Sequence, residues 1–488
     1  MTSPEQVLLP GEGPGNGAAR PASALVWSFL NTAVSRLGTV AIGVVLARVL
    51  GPEEFGTYAV AFIALMAVLS FNELGVSLAI VRWPEDPRTI APTVTTISLI
   101  GSAIVTLAVF VGAGPFASAM GDPGATNLVR VLGLCVIING AVAAPAALLQ
   151  RYFRQDRRMI ADQVNVWLGA VISVSFVLGG LGAWGLVIGR LVGAAVSGVL
   201  LIRFSPEPFR LGLNREHVRP LLAFGLPLAG ASVIVFAVAY VDQLVVGPAL
   251  GSLALGYYVL AFNLANWPVS MLSQPLRSVA PALFARLQHD PPLMHEAFRR
   301  TLRPLAAVAI PSCVVIAVAS NDVVRFVYGS EWLPAAPVLR WLALLAAFRI
   351  LFELAYDYLV VLRKSSSLMS VQVLWLVFLL PAVYVGARVA ETSGVAAAQV
   401  IVAGLVVLPA YLYLLHSAGV GARDLVERLW PALIPTLALS VGGWLISSWA
   451  TSAAWALAAT GLLTMCSIAF LLRRCRGDLG ALRTMGNM

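Results

Sequence analysis

Three ionisable residues stand four positions apart in an otherwise apolar stretch: Arg349, Glu353 and Asp357. Residues four apart lie on one face of a helix, so this face would carry a cation followed by two carboxylates. The guanidinium could bind an anion, and the carboxylates could bind a cation or close a passage. An Arg349–Glu353 pair that only hides charge between packed helices explains the spacing equally well. For Asp357, a position near the end of the helix, at an interface with water, is a further alternative.

The composition indicates where such helices lie. Of the 488 residues, 59% are apolar and only 11% are charged, whereas a soluble protein has roughly 25% charged residues. Apolar runs of about 20 residues recur along the chain, and each is long enough to cross a bilayer as a helix. The runs are continuous rather than alternating, which excludes a transmembrane barrel. The sequence therefore predicts an all-α polytopic membrane protein.

We predict about fourteen transmembrane helices, in two sets of six followed by a final pair. The predicted spans are 24–47, 56–80, 90–114, 126–150, 161–182, 184–203, 219–246, 255–285, 299–320, 335–362, 367–389, 393–416, 430–449 and 452–472. The corresponding domains are a disordered cytoplasmic tail (1–23), a first lobe (24–203), a cytoplasmic linker (204–218), a second lobe (219–416), the final pair (417–472) and a second cytoplasmic tail (473–488).

A short segment occurs twice, at 50–62 and at 250–262, and follows the frame L-G-x4-G-x-Y-x2-A-F in both places. Such a repeat indicates two related halves. Six predicted spans separate the copies, and because six is even, the halves share one orientation across the membrane. We expect the glycines of each copy to form a turn and its tyrosines to anchor at the membrane interface.

The basic residues alternate from loop to loop. The tails and the loops after even-numbered spans hold 23 of the 32 lysines and arginines, and the other loops hold five at or near them. Positively charged loops stay on the cytoplasmic side. We therefore expect both termini in the cytoplasm.

Several isolated polar groups fall inside the predicted spans. A charge at membrane depth costs at least ~2.5 kcal/mol, so each needs a partner or a wet cavity. Arg36, near Asn31, is expected to face such a cavity. Arg190 either lines the cavity, caps a neighbouring helix or pairs with Glu73. Asp242 is a candidate for a coupling-ion site or for a structural partner of Arg36. The remaining polar candidates are Asn263 and Asn266, which would line a cavity, and Arg277, which is expected to snorkel to the surface.

Other chemistries find little support. The net charge of +9 is spread over many loops and forms no nucleic-acid patch. The sequence has no G-x4-G-K-[ST] motif for nucleotide hydrolysis, and its four histidines and four cysteines lack metal-binding spacing. We expect no enzyme activity, no metal and no cofactor.

A set of short motifs resembles bacterial polysaccharide exporters of the Wzx type, nearest their colanic-acid and teichuronic-acid branch. The resemblance covers roughly residues 25–420 and is carried by the set rather than by any one motif. The motifs are V-L-G-P-E-E-F-G-T-Y at 49–58, E-L-G-V at 73–76, L-G-Y-Y at 255–258, P-A-L-F-A-R-L-Q at 281–288 and V-Y-G-S-E-W at 327–332.

This resemblance implies a fold and a function. Proteins of the superfamily, which includes multidrug (MATE) transporters, have two six-helix lobes around a cavity and work by alternating access. Wzx-type members are similar to flippases that move polyprenyl-diphosphate-linked oligosaccharides across the bacterial cytoplasmic membrane, with a polysaccharide polymerase and glycosyltransferases as possible partners. Our candidates for the diphosphate are Arg36, Arg349 and Arg190, because a guanidinium binds phosphate in two-pronged fashion. Asp242, Glu353 and Asp357 are candidates for ion coupling or gating. The alternatives are a multidrug cation antiporter and a non-transporting scaffold for glycan synthases.

Overall fold

The computed structural model describes residues 21–72, 75–83, 86–449, 452–478 and 480–481, with most side chains from residue 42 onward. The described residues up to Gly43 belong to one compact unit and those from Val44 to another; the packing below concerns the second. Every regular element in the described ranges is helical. The α-helices are α1 (Pro21–Asn72), α2 (Val76–Arg82), α3 (Pro87–Ala119), α4 (Thr126–Arg151), α5 (Gln155–Leu178), α6 (Ala183–Phe204), α7 (Arg215–Leu250), α8 (Ser252–Arg286), α9 (Pro291–Val318), α10 (Ser320–Val327), α11 (Ala336–Val361), α12 (Ser365–Val402), α13 (Leu408–His416), α14 (Ala422–Trp449) and α15 (Ala453–Arg474).

Ten candidate spans within the described residues are long and apolar enough to cross a membrane. Two of the long helices contain breaks: α1 at Gly51, and α12 at Ala390 and Glu391. With these breaks, each predicted span overlaps helical residues. The fifth span, 161–182, extends past the end of α5 at Leu178, and the second span is interrupted. There, α1 ends at Asn72 and α2 begins after Gly75, whose φ of 62° cannot continue a right-handed helix. That all fourteen spans cross the membrane stays a prediction.

The two copies of the repeat adopt the same turn. Gly51 has φ 72° and ψ 172°, and Gly251 has φ 88° and ψ 173°. A side chain disfavours a positive φ, so glycine is the residue that this turn requires. The prediction of turn-forming glycines is confirmed for Gly51 and Gly251, and it is wrong for Gly56 and Gly256, which lie within the helices that follow the turns.

Helix ends are fixed by short polar side chains. Asn214 accepts a hydrogen bond from the amide of Glu216 (3.1 Å), where α7 begins, and Asp290 accepts one from Leu293 (3.1 Å), where α9 begins. Such caps satisfy amides that have no partner within the helix. They set where α7, which contributes to the site, and α9, which packs behind it on α11, begin.

The connection between α6 and α7 is fastened to α3. Arg88 donates to Glu207 (2.7 Å), and Thr96 Oγ1 donates to the carbonyl oxygen of Gly212 (2.9 Å). We call the end of the helices that carries this connection the linker end. The opposite end, where Gly51 and Gly251 lie, is the repeat end.

Packing groups the helices of the second half around α11. Helices α8, α9 and α12 contact α11, while α7 packs against α12 and α8. The final pair is attached to this half, because α14 and α15 both pack against α9. Helices α7, α8, α11 and α12 enclose the candidate site.

Candidate functional site: a polar cavity in the second half

A cavity of about 490 Å³ lies among α7, α8, α11 and α12. Its wall contains Arg349 and Glu353 from the predicted face of α11. Aromatic side chains, among them Phe352 and Trp375, and the amides of Gln372 and Gln399 complete it. A cation, a carboxylate, amides and aromatic rings therefore meet in one space inside the helical bundle.

Helix α11 places the ionisable trio in a line. Four residues of α-helix rise about 6 Å, so Arg349, Glu353 and Asp357 are stepped from mid-helix toward the linker end. The guanidinium of Arg349 stands over the ring of Phe262, 5.8 Å from its centroid. Arg349 and Glu353 form no ion pair among the described side chains, and Glu353 Oε2 is buried without a hydrogen-bond partner there. Arg349 and Glu353 still act on each other electrostatically, so a pair that hides charge between helices stays an alternative to a ligand site.

Asp357 lies at the linker end of this line and is only 8% exposed. Its Oδ1 is 3.8 Å from Nε of Arg277 on α8, a residue that also lines the cavity. Its Oδ2 is buried and has no hydrogen-bond partner in the described part of the chain. The pair joins α8 to α11 where the cavity approaches the linker end, so Asp357 is not simply interfacial.

Asp242 on α7 is held in a separate hydrogen-bonded cluster. Its carboxylate is 2% exposed and accepts hydrogen bonds from the Tyr258 hydroxyl (2.8 Å) and from Gln399 Nε2 (2.8 Å). The amide of Gln243 donates to the second oxygen (2.9 Å). Because Gln399 also lines the cavity, its side chain connects this cluster to the cavity wall.

The position of Tyr258 corrects one prediction. This tyrosine of the second repeat is fully buried, so the prediction of an interfacial anchor is wrong for it. The reason is its hydrogen bond: Asp242 requires a donor in an apolar interior, and the Tyr258 hydroxyl provides one.

The remaining predicted residues lie apart from the cavity. Arg190 is on α6 in the first half, where its charge acts on Tyr58 and Cys135. Asn263 is exposed, and Asn266 keeps a buried, unpartnered Oδ1; neither lines the cavity. The side chains of Arg36 and Asn31 lie outside the described residues.

Sequence reasoning missed Gln399, Tyr258 and Trp375. Gln399 could have been found, because it is the one charged or amide residue between 392 and 415. Tyr258 and Trp375 gave no such signal, since aromatic residues are common in apolar helices. Among the described side chains, no group of three His, Cys, Asp or Glu could hold a metal ion.

The two copies of the repeat meet at the repeat end. A methyl group added at Gly256 would lie 2.8 Å from the carbonyl oxygen of Pro52 and 3.1 Å from Cα of Gly56. One added at Gly56 would overlap the carbonyl oxygen of Ser252. We call this backbone contact between the residues around Gly56 and Gly256 the glycine seal.

Side chains support the glycine seal on both sides. Trp332 is 1% exposed and packs against one ring from each copy. Its ring centroid is 5.4 Å from that of Phe55 in the first copy and 6.0 Å from that of Tyr257 in the second. Arg48 donates to the carbonyl oxygens of Phe326 and Val327. The first and second halves are thus joined at the repeat end.

Sequence comparisons identify relatives of the chain. The family described as polysaccharide biosynthesis protein matches residues 45–337, which is more than half of the chain. The lipopolysaccharide biosynthesis protein WzxC of Escherichia coli (strain K12) is 24% identical over 86% of this chain and 86% of its own length. The succinoglycan biosynthesis transport protein ExoT of Rhizobium meliloti (strain 1021) is 28% identical over 65% of this chain and 64% of its own.

Solved structures share the fold. The lipid II flippase MurJ, in an inward closed conformation, gives a TM-score of 0.75 at 15% identity, covering 92% of this chain and 99% of MurJ. A multidrug resistance MATE family transporter, in an inward-facing conformation, gives a TM-score of 0.64 at 14% identity. The match covers 78% of this chain and 94% of the transporter. These similarities confirm the predicted all-helical, MATE-like membrane fold. The resemblance found in the short motifs is also confirmed: the chain belongs to the polysaccharide biosynthesis protein family.

Proposed function

We propose that this protein is a flippase that moves a polyprenyl-diphosphate-linked oligosaccharide across the bacterial cytoplasmic membrane by alternating access. The observation that carries the proposal is the position of Arg349, a guanidinium inside a cavity among membrane helices. A guanidinium stays charged there and matches the geometry of a diphosphate. The family, the names of WzxC and ExoT, and the fold shared with MurJ support the same function.

Arg349 would bind the diphosphate within the second half, with Arg36 and Arg190 as the candidates from the first half. Asp242, Glu353 and Asp357 would serve in ion coupling or gating. The Arg277–Asp357 pair (3.8 Å) supports a gating role at the linker end, because the two charges can separate or close. Asn31, Asn263 and Asn266 would add polar surface along the path of the sugars.

The distribution of basic residues supports an orientation with the linker end and both termini in the cytoplasm. In that orientation the glycine seal closes the outer side, and cargo would enter from the cytoplasmic leaflet. Release would then require the two copies of the repeat to separate. The polymerase and the glycosyltransferases that handle the same lipid-linked glycan would be its partners.

The alternative of a multidrug cation antiporter is less well supported. The solved MATE transporter shares the fold with this chain at 14% sequence identity, and so low an identity does not indicate a shared substrate. Arg349 would repel a cationic drug from the cavity, although Glu353 would attract it. A pure scaffold has no need of a charged cavity, because each buried charge destabilises the membrane fold.

Flipping can be tested in liposomes that contain the purified protein and fluorescent undecaprenyl diphosphate bearing a short glycan. We expect Arg349→Ala to slow protein-dependent flipping by about tenfold or more, since a charge-assisted hydrogen bond contributes about 1.5–3 kcal/mol. Arg423→Ala is the matched control, because Arg423 is 91% exposed and its ion pair is with Glu427 on its own helix. Wild-type flipping by Arg349→Ala would remove this residue from the mechanism, and an inactive wild-type protein would overturn the proposed function.

A further inference from the structure

The cavity wall contains two buried polar atoms that the protein leaves unused. Glu353 Oε2, an acceptor, and Trp375 Nε1, a donor, have no hydrogen-bond partner among the described residues. Both residues line the cavity. Buried polar groups are normally paired, so such atoms call for an explanation. A ligand that both donates and accepts hydrogen bonds would satisfy them.

The same wall presents a rigid aromatic surface. The ring of Phe352 lies between two other rings. It stacks on Tyr411, with 4.9 Å between ring centroids and 12° between ring planes. It meets Trp375 edge-on, with 6.1 Å between centroids and 84° between planes. Tyr356 also lines the cavity. Phe352 and Tyr411 are buried and fix Trp375 in place. The half-buried rings of Trp375 and Tyr356 therefore form the preformed apolar platform that a ligand can reach, and they need no ordering on binding.

Few ligands use both features. A lipid tail would cover the aromatic platform but would leave Glu353 Oε2 and Trp375 Nε1 unpaired. A diphosphate would satisfy Arg349 and leave the platform unused. A sugar ring combines an apolar C–H face with a rim of hydroxyls, each of which donates and accepts hydrogen bonds.

We propose that this cavity is the subsite for the sugar next to the diphosphate of the cargo. The aromatic platform takes the C–H face of the sugar, and Glu353 and Trp375 bind its hydroxyls. Arg349, on the same wall, takes the adjacent phosphate. This proposal rests on the flippase function and assigns the cavity a part of its cargo.

The size of the cavity agrees with this assignment. Its volume of about 490 Å³ falls in the usual range of small-molecule sites, about 300–1,000 Å³. A complete oligosaccharide with its lipid would not fit. The cavity therefore recognises one end of the cargo, and the rest of the glycan contributes less to affinity.

Binding to the full-length protein in nanodiscs tests the subsite, with native mass spectrometry as the readout. The probes are undecaprenyl diphosphate alone, and the same lipid bearing one glucose or one galactose. We expect a sugar to tighten binding to the wild-type protein by about tenfold, the effect of one or two hydrogen bonds. Trp375→Phe should lose most of this gain while binding the sugar-free lipid as the wild-type protein does.

Trp375→Phe separates binding from folding. It keeps an aromatic ring and removes an N–H that has no hydrogen-bond partner in the part of the chain that the structure describes, so no described hydrogen bond is lost. Trp444→Phe is the control, since Trp444 is 64% exposed on α14. If the sugar increased the affinity of Trp375→Phe and of the wild-type protein by the same factor, the subsite would be overturned. Equal binding of all three lipids by the wild-type protein would overturn it as well. Failure of every lipid to bind would overturn the flippase function itself.

Discussion

Individual carboxylates of the second half differ in how completely the protein satisfies them. Asp242 accepts hydrogen bonds from Tyr258, Gln399 and the amide of Gln243. Glu353 and Asp357 each keep one buried oxygen without a partner in the described residues. The first arrangement is a closed cluster that holds α7, α8 and α12 together, whereas the other two residues remain able to bind a ligand or a moving partner.

The Asp242 cluster leads to a prediction about stability. Tyr258→Phe removes the hydroxyl that donates to the buried carboxylate, which should lower the free energy of unfolding by about 1–3 kcal/mol. Thermal unfolding of the purified protein checks this. Tyr413→Phe is the control, because Tyr413 is 73% exposed, and a fall in Tm no larger than that of the control would contradict the assigned role.

The residues of the site were predictable only in part. Spacing along one helix placed Arg349, Glu353 and Asp357 on a common face, because that relation depends on helix geometry alone. The partnership of Gln399 with Asp242 joins residues 157 positions apart. Such a pairing depends on how helices pack, and no spacing in the sequence encodes it.

Among the structural elements, the two repeat segments carry the glycine seal. Gly56 lies near the start of the part of α1 beyond the turn at Gly51, and Gly256 has the equivalent place in α8. Run length and hydropathy predicted these helices, and the shared frame predicted their turns. That the two copies touch each other was not predictable, since a repeated motif indicates equivalent structure and not mutual contact.

The glycine seal can be tested by adding one methyl group. Gly56→Ala would place its Cβ against the backbone carbonyl of Ser252, which can move only if a helix moves. We expect the variant to favour a state that is open at the repeat end. Spin labels on Ser118 and Leu253, in a cysteine-free background, should report longer distances than in the unsubstituted protein.

Gly112→Ala is the matched control for this experiment. Gly112 is also helical, but nothing lies within 4 Å of an added Cβ. The label distances should stay unchanged in this variant. If Gly56→Ala and Gly112→Ala give the same distances, the backbone contact does not hold the repeat end closed.

At the scale of the whole molecule, an ion-pair network ties the end of the chain to the second half. Asp478 is 3.1 Å from Arg303 on α9 and 3.4 Å from Arg428 on α14, and its side chain is 12% exposed. Arg428 also approaches Glu296, at 3.8 Å. The network lies where α9 begins and α15 ends, and it links the final pair of helices to the half that contains the cavity.

Neutralising Asp478 should loosen this attachment. Asp478→Asn leaves two partly buried guanidiniums without their shared carboxylate, which we expect to weaken local stability by about 1–2 kcal/mol. Hydrogen exchange of the segment 470–481 should become faster. Glu427→Gln is the control, because its pair with Arg423 is exposed; equal exchange in both variants would show that Asp478 is dispensable.

The glycine seal has a consequence for the kinetics of the transport cycle. Its central contact is made of backbone atoms in van der Waals contact, and a gap of only 0.5–1 Å removes about a quarter to a half of such attraction. A contact with so short a reach behaves as a latch with two positions, because its attraction keeps falling steeply as the gap widens further. The latch also contains no side chain that could distinguish one glycan from another. Selection of cargo would therefore be complete before the latch opens, and the opening step should have the same rate for every cargo that has been accepted.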